Sequence, residues 1–305
     1  MDIALLAKSI LENNERAIAK ALTIAEEDPE NGLSLLELLN KNSNKKSLKT
    51  CIGITGAPGA GKSTLVNALA LTLVKQNKKV AILAVDPSSP FSGGALLGDR
   101  IRMLQASEAS SIFIRSFATR GALGGLSAAC YLAAEILYAA GYDYVVIETV
   151  GVGQAEVDIV KLTDVCIVVL VPGMGDGVQL LKGGIIEIAD IFVINKADKD
   201  GVDTLEKELI GIIGLGDENQ EIVKTIATTN TGIAALDTAI SNFSKNLPNA
   251  QVKKMQIIKT QLLQQLLALH KQKLLDKSAN FIEELAKEIV LGKKTFLDAV
   301  KLLSK

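Results

Sequence analysis

The stretch Thr50-Cys51-Ile52-Gly53-Ile54-Thr55-Gly56-Ala57-Pro58-Gly59-Ala60-Gly61-Lys62-Ser63-Thr64-Leu65-Val66 passes from an apolar run, through a glycine-rich turn ending in Lys-Ser-Thr, into a helical pattern. This strand, turn and helix order is where a phosphate-binding loop has to sit. Gly56, Gly59 and Gly61, with the short side chains of Ala57 and Ala60 and the fixed φ of Pro58, let backbone N–H groups converge on anionic oxygens. Lys62 is then placed to reach the terminal phosphates, the Ser63 hydroxyl to ligate Mg2+, and Thr64 to continue the first helical turn. The loop implies a bound nucleoside phosphate, with the base still open.

Working outward, short apolar runs alternate with helical patterns: Val80 to Val85, Ile112 to Ile114, Tyr144 to Ile147, Val165 to Val171, Ile191 to Ile194, and Ile222 to Ile226. Runs that are almost continuously apolar belong to strands covered on both faces, so the sheet is expected to be mostly parallel and the fold α/β, doubly wound. Ligands on such sheets lie beyond the carboxyl ends of the strands. Residues 1–48 read as an N-terminal helical extension with a stop and restart at Asp28-Pro29, closed by the polar linker Lys41 to Ser47; residues 49–247 form the P-loop domain. Residues 248–305 read as a helical arm in which Met255, Ile258, Leu262, Leu266 and Leu269 recur at steps of three and four. Further helices are expected around Phe281 to Val290 and Thr295 to Leu303, and periodicity leaves two readings of the stripe open, packing against the main domain or dimerisation.

The chain has 305 residues, 48% hydrophobic and 22% charged, with a formal net charge of −1. Near-neutral charge argues against nucleic-acid or membrane-surface binding driven by bulk electrostatics. No apolar run approaches the roughly 18 residues that span a bilayer, and Met1 to Lys8 lack the form of a signal peptide. Cys51, Cys130 and Cys166 lie in apolar stretches without metal-site or disulfide spacing, which suits a reducing cytoplasm.

Chemistry collects after the apolar runs. Asn195-Lys196-Ala197-Asp198 follows Ile191 to Ile194 and matches the guanine-reading pattern NKxD: the Asp198 carboxylate can accept from N1–H and the 2-amino group of guanine, donors that adenine does not present. GTP is therefore expected over ATP. Ile226-Ala227-Thr228, after the next run, fits a third guanine element, with the Ala227 N–H available to the guanine O6; the alternative is an ordinary strand-to-helix connection. Glu148-Thr149-Val150-Gly151 ends the run from Tyr144, where a magnesium-side carboxylate and a γ-phosphate-sensing glycine belong. Asp86 emerges at the same edge, and Ser63, Asp86, Asp99 and Glu148 form an expected magnesium shell. Gly93 to Arg102, containing Asp99, reads as a switch closing over the phosphates, or else as a helix N-terminus with Asp99 stabilising the first turn. Val152, rather than glutamine, follows Gly151, so intrinsic hydrolysis is expected to be slow, with Asp99 or a residue from a partner completing the water-positioning machinery alongside Lys62 and Glu148.

Together, Gly56 to Thr64, Asp86 to Ser89, Gly98 to Arg100, Arg120 to Gly125, Glu148 to Glu156 and Asn195 to Asp198 closely resemble the MeaB/ArgK family of P-loop GTPases, of the SIMIBI class. The resemblance implies a GTP-hydrolysing chaperone that gates adenosylcobalamin loading and protects or reactivates methylmalonyl-CoA mutase or a related acyl-CoA mutase. It also implies a homodimer through the C-terminal arm, and a third switch over Asp176 to Gly183 in which Gln179 and Lys182 relay nucleotide state. By sequence alone Lys182 reads more readily as a solvated helix lysine. Older descriptions of such proteins as transport-system kinases or ATPases are opposed by the guanine motif. A nickel-insertion GTPase of the same class would be expected to carry clustered His or Cys ligands, against which this chain offers one histidine, His270, and three scattered cysteines.

Overall fold

The computed structural model describes residues 2–42, 49–86, 111–118, 125–149, 155–173, 187–213, 220–245, 247–291, 293–296, 298 and 302. The chain divides into two compact units, Met1–Gln264 and Gln265–Lys305.

In the first unit, α1 (Ile3–Leu11), α2 (Glu15–Glu27) and α3 (Pro29–Asn42) precede the sheet. Asp28 caps α3 through a bond from the Asn31 N–H to its Oδ1 (3.1 Å), and Pro29, which has no N–H to lose, opens the helix. A second break, between α1 and α2, is absent from the sequence reading. Asn13 takes a left-handed φ of 60°, and the Asn14 side chain caps α2 by accepting from the Ala17 N–H at 3.1 Å. The Asn13-Asn14 pair is the signal that marks it, since Asn tolerates left-handed backbone and serves well as an N-cap.

The sheet elements follow in order: β1 (Thr50–Gly56), α4 (Lys62–Lys75), β2 (Val80–Asp86), β3 (Ile112–Ala118), α5 (Gly125–Ala139) and β4 (Tyr144–Thr149). Next come α6 (Ala155–Asp158), β5 (Val165–Leu170), β6 (Ile191–Asn195), α7 (Val202–Ile213), β7 (Glu221–Thr225), α8 (Ile233–Lys245) and α9 (Leu247–Val290). Among the described residues the strands form one sheet in the order β3-β2-β4-β1-β5-β6-β7, every pairing parallel. All seven apolar runs read from the sequence are strands, and the fold is the expected α/β. One face buries Ile52, Ile54, Val146 and Ile167 against Leu65, Leu69 and Leu73 of α4 and Leu236 of α8. On the other, Cys51, Val145 and Ile147 pack with α1–α3 and α5, and Val168 and Phe192 pack with Leu209 of α7. Two-sided burial explains the unbroken apolar runs.

Register is fixed at the amino edge by three aspartates, each standing one residue before a strand. Asp143 Oδ2 accepts from the Lys79 N–H (2.9 Å), Asp164 Oδ2 from Cys51 N–H (2.9 Å), and Asp190 Oδ2 from Cys166 N–H (2.6 Å). Two of these carboxylates also hold the start of α9: Lys254 pairs with Asp164 at 2.7 Å and Lys253 with Asp190. Burial pushes the Asp190 carboxyl up, and Lys253 opposes that shift. Ile257 is buried, and Gln261 Nε2 donates to the Lys161 carbonyl at 2.7 Å. Thus α9 docks through Lys253, Lys254, Ile257 and Gln261, while Met255, Ile258 and Leu262 of the apolar stripe are 65%, 40% and 67% exposed. The reading in which that stripe packs against the main domain does not describe these three residues.

The helix reaches Val290, so the separate helix expected around Phe281 to Val290 is the end of α9. In the second unit Lys294 pairs with Glu288 at 2.7 Å, and the Thr295 hydroxyl donates to Asp298 Oδ2 at 2.6 Å.

Candidate nucleotide site

The phosphate loop is built by its glycines. Gly56 ends β1 at a φ of 137°, and a Cβ there would meet the Val169 carbonyl oxygen at 2.2 Å; Gly61 opens α4 at a φ of 86°, and a Cβ would lie 2.5 Å from Asn195 Nδ2. Both positions demand backbone that side-chain-bearing residues rarely adopt, and both lie in close contact with a neighbouring strand, Gly56 with β5 and Gly61 with the end of β6. Ala60 is fully buried, whereas Pro58 and Gly59 are exposed at the tip. Lys62 is 6% exposed, and its ammonium donates to the carbonyls of Gly56 (2.6 Å) and Ala57 (3.1 Å), folded back over the loop. Ser63 is half-buried and Thr64 exposed on the first turn of α4.

The Ser63 hydroxyl donates to Glu148 Oε1 at 2.6 Å, so the first turn of α4 and the end of β4 present a hydroxyl and a carboxylate at one point. Glu148 is only 6% exposed. Asp86 closes β2 beside β4, its backbone paired with Ala118, and its side chain lies outside the described residues. Asp99, Gly151, Gln179 and Lys182, and with them the expected switches, also lie outside the described residues.

On the other side of the loop, Asn195 ties three segments together. Its Nδ2 donates to the Ala60 carbonyl at 2.9 Å, while its Oδ1 accepts from the Thr225 hydroxyl (3.1 Å) and the Ala227 N–H (3.2 Å). Lys196, at a left-handed φ of 56°, donates from Nζ to the Gly59 carbonyl at 2.8 Å. Asp198 is exposed and makes no hydrogen bond or ion pair among the described residues. Ile226 and Thr231 bridge antiparallel, closing the turn that carries Ala227 and the exposed Thr228. Two points differ from the sequence reading. The Ala227 N–H, expected to be available to a guanine O6, is already engaged by Asn195. Thr225, passed over as a strand residue, is the buried hydroxyl that fixes the Asn195 amide. Its signal was its place directly before the third guanine element.

Replacing Asn195 with alanine should strand the Thr225 hydroxyl and the Ala227 N–H in a buried setting. At about 1–3 kcal/mol for a stranded buried polar group, we expect a loss of roughly 3 kcal/mol, read as a lower Tm and weaker GDP binding together. A variant with parental Tm and affinity would show that the brace contributes nothing.

A phosphate loop braced by an Asn-Lys-x-Asp loop on a parallel sheet is the site of a P-loop GTPase. The chain belongs to the family described as methylmalonyl-CoA mutase-associated GTPase MeaB, whose model matches residues 18–282. It is 45% identical over 249 residues to a protein of Pyrococcus horikoshii named as a candidate GTPase, covering 79% of this chain and 78% of that one. GTPase ArgK of Escherichia coli is 42% identical over 201 residues, 65% of this chain and 61% of its own. The mouse protein named as a mitochondrial homolog of methylmalonic aciduria type A is 36% identical over 206 residues, 64% of this chain and 50% of its own. Among solved structures, a protein described as an LAO/AO transport system kinase superposes with a TM-score of 0.64 at 25% identity, over 99% of this chain and 96% of that one. The chain is a GTP hydrolase by family, with GTP and GDP as its nucleotides.

Proposed function

We propose that this GTPase acts as a chaperone of methylmalonyl-CoA mutase or a related acyl-CoA mutase, gating the loading of adenosylcobalamin and protecting or reactivating the mutase. The observation that carries this reading is the match of residues 18–282 to a family described by its association with that mutase. In this reading Lys62 leaves the Gly56 and Ala57 carbonyls for the terminal phosphates, Asp198 reads the guanine, and the Asn195 brace holds the base loop against the phosphate loop.

Mg2+ fits the site. Ser63 and the nearly buried Glu148 offer hard oxygen donors 2.6 Å apart, and Asp86 ends the adjacent strand. When bound, the ion would neutralise phosphate charge; Ser63 and Glu148 would hold it, with Asp86 and Asp99 completing the shell. Gly151, Gln179 and Lys182 would relay the nucleotide state to the client. Intrinsic turnover would be slow, since Val152 stands where a water-positioning glutamine could be.

The organisation we infer is a helical extension over 1–48, the GTPase domain over 49–247 and an arm over 248–305. The arm would pair two copies in a homodimer, supported by the exposed stripe of Met255, Ile258 and Leu262. A metal-insertion role has less support: among the described residues no three His, Cys, Asp or Glu side chains gather as a metal site, and Cys51, Cys130 and Cys166 are buried. No helix among the described residues is long and apolar enough to cross a membrane, and a cytoplasmic location accords with the three free cysteines.

Pull-down with purified adenosylcobalamin-dependent acyl-CoA mutases, comparing GDP with a non-hydrolysable GTP analogue, tests the chaperone role. Nucleotide-dependent retention of methylmalonyl-CoA mutase is expected. If no acyl-CoA mutase bound in either state, that role would be abandoned and the GTPase retained.

A further inference from the structure

The last two residues of β4 each reach toward the β1–phosphate-loop unit, on opposite faces of the sheet. Glu148 meets Ser63 on the face covered by α4. One residue on, Thr149 points to the other face, where its hydroxyl donates to the Thr55 hydroxyl at 3.0 Å. The strands are in register for this, with Ile54 beside Glu148, and the threonines are 0% and 2% exposed. Nearby positions on the same face are apolar, including Cys51, Val145 and Ile147. A valine pair would fill the same volume without burying two hydroxyls, so the pair contributes direction as well as packing. Thr55 directly precedes Gly56, the first residue of the phosphate loop, and Thr149 is the last residue of the strand that carries Glu148.

We propose that the Thr55–Thr149 hydroxyl pair is a positioning element for GTP hydrolysis, fixing the end of β4 against the strand that feeds the phosphate loop. The Ser63–Glu148 bond on the α4 face has to be rearranged whenever Ser63 and Glu148 engage a nucleotide-bound ion. The threonine bond on the opposite face stands clear of that exchange. It keeps β4 from shifting along β1, so a change at Glu148 goes into the reacting geometry instead of being absorbed by strand slippage. The ion-holding role of Glu148 is the one proposed above, but hydrolysis is measured on this chain alone, so failure of the mutase reading leaves this inference untouched.

The test compares Thr149→Val, Thr55→Val, the double variant and Thr149→Ser in the full chain. Measurements are single-turnover GTP hydrolysis, Kd for GDP, and Tm. We expect Thr149→Val to slow hydrolysis about tenfold, the effect of one buried hydrogen bond, while GDP affinity stays within about twofold. Thr149→Ser should restore the rate, and the double variant should be no slower than either single one, because both remove the same bond. Parental hydrolysis in Thr149→Val would overturn the proposal, whether or not Tm fell, because the pair would then only support the fold. So would a loss of GDP affinity in proportion to the rate, which would assign the pair to the phosphate loop's binding geometry. Where Thr149→Val proves too unstable to assay, Thr55→Val and Thr149→Ser decide by the same criteria.

Discussion

Lys62→Ala should lower GTP turnover by at least about a hundredfold, the largest effect on rate expected of any single side chain here. The magnitude follows from removing one preorganised charged donor where negative charge develops in the transition state, which typically costs two to three orders of magnitude in rate. Its setting explains why no neighbour can substitute. Lys62 is 6% exposed and stands at the first residue of α4, with its ammonium held over the loop by the Gly56 and Ala57 carbonyls. Those carbonyls keep the charge at the loop mouth, so it need not be drawn from solvent when phosphate arrives. Lys62→Arg should fail nearly as badly, since a planar guanidinium cannot occupy a pocket sized for one ammonium between two carbonyls. Circular dichroism and Tm would establish that both variants fold. Turnover within threefold of the parent in folded Lys62→Ala would remove Lys62 from the machinery.

The sheet was legible in the sequence because two-sided burial writes itself as unbroken apolar runs. Each run, from Thr50 to Thr55 through Ile222 to Ile226, became a strand, and the glycine-rich motif became the connection from β1 to α4. Local residue types also announced the restart at Asp28-Pro29, where a cap and a proline stand together. What stayed hidden depends on partners distant in sequence. Thr225 reads as an ordinary strand residue until Asn195, thirty positions earlier, is seen to accept its hydroxyl. Asp164 and Asp190 look like loop acids until each is found accepting from the N–H of the second residue of a neighbouring strand and pairing with a lysine of α9. The stripe of Met255, Ile258 and Leu262 was visible as a period but not as a direction: periodicity says which residues share a face, whereas Lys253, Lys254 and Gln261 decide which face docks. The sequence offers the Ala227 N–H as a donor after the last strand, whereas its engagement with Asn195 becomes visible only once the loops are assembled.

Asp198→Asn should exchange guanine for xanthine preference. Asp198 is exposed and unengaged among the described residues, at the head of the loop whose neighbours Asn195 and Lys196 are pinned to the phosphate loop at Ala60 and Gly59. The carboxylate is therefore free to meet a base while its backbone is held in place. As a carboxylate it can only accept, and guanine offers two donors on one edge, N1–H and the 2-amino group. Two charge-assisted bonds at about 1.5–3 kcal/mol each amount to two to four orders of magnitude in Kd. Asparagine keeps an acceptor for N1–H but turns the other acceptor into an N–H donor facing the 2-amino group, an opposed pair. Xanthine carries a carbonyl at that position, so the same N–H becomes a partner and the lost affinity should reappear for xanthosine triphosphate. Inosine triphosphate, which lacks the 2-amino group, should bind the parent at least about tenfold more weakly than GTP, since it forfeits one of the two bonds. Competition with a fluorescent GDP analogue across the three nucleotides reads all of these at once. Equal binding of inosine and guanosine triphosphates by the parent would show that Asp198 does not read the 2-amino group, and unchanged GTP affinity in the variant would move base recognition away from this loop altogether.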